Sequence, residues 1–150
     1  MGGSDFERAW SLLQEEGYTC VLCGGEQVFT SRMRGVTPLL DWLDQRLDLH
    51  GFSAADKVVG KAAAFLYVLL GVKEVYAKVM SIPAKGVLEA HGILNGCEEE
   101  VEAIRNRTNT GFCPMETAVW SISDPGEALT AIRVKYKELN PYKTPKPVQN

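Results

Sequence analysis

With 150 residues, 45% of them hydrophobic and 23% charged, the chain has the proportions of one soluble domain with a real core. A net charge of −3 and a pI near 5.4 argue against a partner held through nucleic-acid phosphates. The longest apolar run, residues 62–70, is too short to span a bilayer, and Asp5, Glu7 and Arg8 interrupt any signal-peptide pattern, so neither membrane nor export is expected and a cytoplasmic location is.

Residues 5–16 predict an amphipathic helix, with Phe6, Ala9, Trp10 and Leu13 at helical spacing and Gly17 as its stop. Residues 18–23 alternate as a strand, Gly24 and Gly25 make a hairpin turn, and residues 26–31 return. Pro38 opens a second helix to about residue 47, with Leu39, Leu40, Trp42, Leu43 and Leu47 on its buried side. Residues 53–70 read as one central helix. Ser53 would be its N-cap and Asp56 the partner in a capping box, and the apolar run from Ala62 would bury it all round. On that helix Asp56, Lys57, Gly60 and Lys61 would share one face and open onto a pocket.

Residues 72–80 are rich in β-branched residues and predict a buried strand, followed by a helix over 84–91 closed by Gly92. A further strand is expected at 99–104, a polar loop at 106–111, and a short helix opened by Pro114. Asp124 and Pro125 start a last helix to about residue 139. Residues 1–140 thus make a single domain, and the proline-rich residues 141–150 a disordered tail. A hairpin joined to helix-linked strands predicts an α/β fold, a three-layer α/β/α arrangement with a mixed sheet and helices on both faces.

Four cysteines offer little for a metal. Cys20 and Cys23 have CxxC spacing but lie in a strand, where residues three apart point to opposite faces, and no second CxxC completes a four-thiolate zinc site. No metal and no cofactor is expected. In folds of this class sites gather at strand carboxyl ends and helix N-termini, which nominates Ser31, Arg34, Gly35, Asp56, Lys57, Gly60, Asn106 and Arg107 to hold a polar ligand. Lys61 could serve as a pocket cation or, desolvated, as a nucleophile; a structural ion pair is the alternative. Cys113, at a helix start, could be a nucleophile or a buried structural thiol, and Glu116 an acid–base group or a helix-start carboxylate.

The order of elements resembles the cytidine deaminase-like fold over roughly residues 5–120, with residues 81–92 in the place where such deaminases have Pro-Cys-x-x-Cys opening a helix. Ser31, Arg34 to Val36, Pro38 and Leu39, the stretch from Asp56 to Ala64, Asn106, Arg107 and Cys113 to Glu116 further resemble an uncharacterised prokaryotic family of that fold. Zinc deaminases hold the metal with a His or Cys and two more Cys, and use a nearby Glu. Here Ala84 and Val87 stand at the ligand positions after Pro83, and no His, Cys or Glu occurs in residues 53–70. The expectation is a zinc-free small-molecule binding protein whose ligand is a polar, anionic or nitrogenous compound. A metal-independent enzyme using Lys61, Glu116 and Cys113, or a scaffold acting as a homo-oligomer, are the alternatives.

Overall fold

A computed structural model describes residues 3–106, 108 and 111–141. Helix α1 spans Ser4–Glu15, and the hairpin is β1 (Cys20–Gly24) and β2 (Gln27–Ser31). Helix α2 (Thr37–Asp44) leads to β3 (Ser53–Val59), α3 (Lys61–Leu70) and β4 (Glu74–Ser81). Helix α4 (Ile82–Ala90), β5 (Leu94–Val101), α5 (Pro114–Val119) and α6 (Pro125–Leu139) complete the chain. The strands form one sheet in the order β2-β1-β3-β4-β5. β1 is antiparallel to both β2 and β3, whereas β3, β4 and β5 run parallel. The sheet is mixed, with helices on both faces, as the element order implied.

Side-chain alternation divides the core between the two faces. Ala9 and Leu13 of α1 pack with Val21, Cys23 and Ala55 on one face, where the Trp10 and Phe6 rings also meet Tyr76 edge-on at 4.6 and 5.5 Å. Cys20, Leu22, Ala54, Val75 and Ala77 point the other way, into the larger core built around α3. Cys20 and Cys23 therefore lie on opposite sides of the sheet.

The central segment is the main correction. Residues 53–70 are a strand followed by a helix, not one helix. Ser53 to Asp56 and Val59 are buried because β3 is the middle strand, paired to β1 on one side and β4 on the other. A strand buried on both faces has no polar alternation to set it apart from the helix that follows. The capping box disappears with it. Ser53 Oγ donates to the buried Glu74 carboxylate at 2.8 Å instead. The last strand also shifts, from the expected 99–104 to Leu94–Val101, where it pairs with β4 along its length. Helix α2 ends at Asp44, short of the expected residue 47. All of the expected tail beyond residue 141 lies outside the described residues. Among the described residues no helix is long and apolar enough to cross a membrane.

Candidate functional site

The β3–α3 junction is built by a residue from elsewhere in the chain. Gly60, the N-cap of α3, has no side chain to accept the helix's first N–H groups. Glu116, from the first turn of α5, does so instead: Oε1 accepts from Lys61 N at 2.7 Å and Oε2 from Ala62 N at 3.0 Å. A Cβ at residue 60 would stand 1.9 Å from Glu116 Oε1. Gly60 has φ −98°, open to any residue, so it is close approach and not backbone conformation that calls for glycine here. Only 3% of Glu116 is exposed, and burial raises its carboxyl above the usual range against the opposing pull of the Ala62 and Lys61 N–H groups.

A second carboxyl, Asp56, lies on β3 four residues before Gly60. Asp56 is 9% exposed and faces the α3 side of β3. Its Oδ2 accepts from the Tyr67 hydroxyl at 2.6 Å, and Oδ1 accepts from Val58 N at 3.3 Å. Tyr67 is fully buried in α3, and its oxygen lies 3.1 Å from Cys20 Sγ. The hydroxyl has one proton, given to Asp56, so the thiol is a donor in this group, with the Asp56 carboxyl also among its acceptors. Desolvation dominates this chain of three groups. It pushes the Asp56 carboxyl up to about 7 even though the Tyr67 and Val58 bonds favour the ionised form. Burial and the Asp56 charge also raise both the Cys20 thiol and the Tyr67 hydroxyl well above their ordinary values.

These two carboxyls border one cavity of about 870 Å³ at the carboxyl end of β3. Among the expected ligand-binding residues, Arg34, Gly35, Asp56, Lys57, Gly60 and Asn106 line it. Cys113 and Glu116 line it too. The helical face supposed to gather Asp56, Lys57 and Gly60 does not exist, but a strand running into a helix N-terminus brings them to the same place. Lys61 and Ser31 are not in the lining. The Lys61 ammonium donates to the Trp120 carbonyl at 2.8 Å and lies 5.8 Å from the Phe65 ring, while Ser31 Oγ accepts from Met33 N. Arg107 lies outside the described residues.

Charge is graded across the cavity. Its carboxyls are buried, whereas Arg34, Lys57 and Arg105 are exposed around it. The Arg105 guanidinium lies 5.5 Å from the Phe112 ring, which stacks on Trp120. Among the described residues no group of three or more His, Cys, Asp or Glu side chains is placed to hold a metal ion. Tyr67 and Cys20 are site residues that sequence reasoning passed over. A tyrosine inside the apolar run 62–70 was the available signal, since a buried hydroxyl needs a partner. The reach of Glu116 to α3, 54 residues away in sequence, had no local signal at all.

Fold and site together define a mixed-sheet α/β domain with an open cavity, lined by apolar, polar and charged residues, beside the N-terminus of its central helix. The chain belongs to the DUF1893 (TM1506) family, a domain of unknown function, whose profile matches residues 8–136. It is similar to the crystal structure of a DUF1893 family protein (TM1506) from Thermotoga maritima, solved at 2.70 Å, with 26% identity and a TM-score of 0.79 over 92% of each chain. No match was found among the curated proteins.

Proposed function

We propose that this protein binds a small polar molecule in the cavity at the β3–α3 junction. The observation that carries the reading is a buried carboxyl, Asp56, bordering a cavity of about 870 Å³, within the size range of small-molecule sites. Its position supports the same reading, because open α/β sheets take ligands beyond the carboxyl ends of their parallel strands. The strand order β2-β1-β3-β4-β5, with one antiparallel hairpin at its edge, supports a cytidine deaminase-like fold. Ala84 and Val87 carry no donor atom for a metal, which favours a zinc-free use of that fold.

Glu116 narrows the choice of ligand. A helix N-terminus ordinarily attracts an anion, but here the protein's own carboxylate fills that position, so an anionic ligand gains nothing from α3. The enzymatic alternative is less favoured, because Lys61 is turned to the Trp120 carbonyl and both Glu116 oxygens are spent on backbone N–H groups. A scaffold role would draw on exposed apolar residues of α2, and Leu39, Leu40 and Trp42 are buried.

The test is a fragment screen by ligand-observed NMR on wild type and on Val58→Trp. Val58 lines the cavity and is 46% exposed, so an indole there intrudes on the cavity without disturbing the core. The proposal expects polar fragments that bind wild type and are lost from Val58→Trp. An absence of binders, or binders indifferent to the indole, refutes it.

A further inference from the structure

The distribution of charge around the cavity specifies a ligand class, an inference that rests on the binding role just proposed. We infer that the ligand is a bipolar small molecule, with a nitrogen donor at one end bound by Asp56 and an anionic group at the other held by Arg34 and Lys57. Among the described lining residues, Asp56 is the buried carboxyl that is not spent on the N-terminus of α3. Glu116 has committed both oxygens to α3, whereas the Asp56 carboxyl is held by Tyr67 and the Val58 N–H, with the Lys57 N–H and the Cys20 thiol also directed at it. A group docking against that carboxyl gains by bringing a hydrogen-bond donor, and a cationic nitrogen also compensates a buried negative charge. The opposite holds at the solvent-exposed part of the lining, which includes Arg34, Lys57 and Arg105. A cation alone would meet those basic groups on entry, and an anion alone would meet two buried carboxyls inside. A molecule carrying both charges satisfies each end.

The Tyr67–Cys20 pair is what holds the carboxyl in this attitude. Tyr67 reaches Asp56 from α3 and is itself held by Cys20 from β1, so the acceptor is fixed between a helix and a strand. Glycine at residue 35, with φ +64°, turns the chain between Arg34 and α2 on the rim.

Isothermal titration with four probes tests the assignment: 4-amidinobenzoate, 4-amidinophenyl phosphate, benzamidine and benzoate. The inference expects at least one of the two bipolar probes to bind about tenfold or more tightly than both single-ended ones. The order of the bipolar pair then tells carboxylate from phosphate at the rim. Asp56→Asn is expected to abolish the advantage over benzoate, and Arg34→Gln, an exposed substitution that leaves the core intact, the advantage over benzamidine. Equal binding of all four probes, no binding by any, or preferences unchanged in both variants overturns the bipolar assignment. The underlying binding role is separately decided, because it fails only when the broad fragment screen gives no ligand sensitive to Val58→Trp.

Discussion

Burying Asp56 has a cost that varies with pH, and Asp56→Asn isolates it. In the folded protein the carboxyl titrates at about 7, against 3.8 for a free one. A raised carboxyl leaves the folded state holding a proton that the unfolded chain has already lost. Its contribution is therefore fully present below about pH 3.8 and is lost progressively as pH rises to about 7. At 1.36 kcal/mol per pH unit, the gap corresponds to about 4 kcal/mol. Cys20 and Tyr67, the titratable groups in contact with Asp56, are both pushed upward and stay protonated through this range. Glu116, also raised by burial, adds a loss of the same sign, and Lys57 follows Asp56 on β3 but stands exposed. Wild type and Asp56→Asn are to be compared by urea unfolding from pH 4.5 to 8. Wild-type stability should fall by about 3 kcal/mol more than that of the variant, which becomes the more stable of the two above pH 7. Parallel curves for the two proteins would refute the claim that desolvation outweighs the hydrogen bonds Asp56 accepts.

Other consequences follow from the same contacts. Gly60→Ala should cost about 1–3 kcal/mol by driving Glu116 off the α3 N–H groups, and should cost much less in a Glu116→Ala background, as a double-mutant cycle by denaturation would show. Glu116→Gln keeps one acceptor and points an amide donor at the other N–H, so a loss of about 1–3 kcal/mol is expected at neutral pH; an unchanged melting temperature would contradict the capping role. Tyr67→Phe removes the bond that most favours ionised Asp56, so the Asp56 carboxyl should titrate still higher in a carboxyl-observed NMR titration, and a downward move would show the bond to be misassigned.

What could be read from the sequence was set by how locally each feature is encoded. Helix α1 ends before Gly17, α5 opens at Pro114 and α6 is capped by Asp124, whose carboxylate accepts from Glu127 N at 2.9 Å, because the signal lies within a few residues of the effect. The hairpin was legible for the same reason. Residues 53–70 were not, since β3 lacks the polar alternation of a half-buried strand and its Ser53 and Asp56 have the spacing of a capped helix start, with only Gly60 and Lys61 between it and the apolar run 62–70. A glycine there read as a notch on a helix; its real neighbour is a carboxylate from α5. Asp56, Lys57 and Gly60 are nevertheless found together, because β3 running into the N-terminus of α3 puts all three in the lining of one cavity. Lys61 did not stay with them. The helix that starts at Lys61 turns its side chain toward Trp120, a contact that only the tertiary fold creates. Nor could sequence spacing bring Tyr67 and Cys20, 47 residues apart, to the same carboxyl.

The most direct test of the account is a crystal structure of the protein with the tightest-binding fragment from the cavity screen. The account predicts electron density in the cavity beside the β3–α3 junction, with a nitrogen donor about 3 Å from an Asp56 oxygen. Density on another surface, or in the cavity with no donor at Asp56, would contradict it.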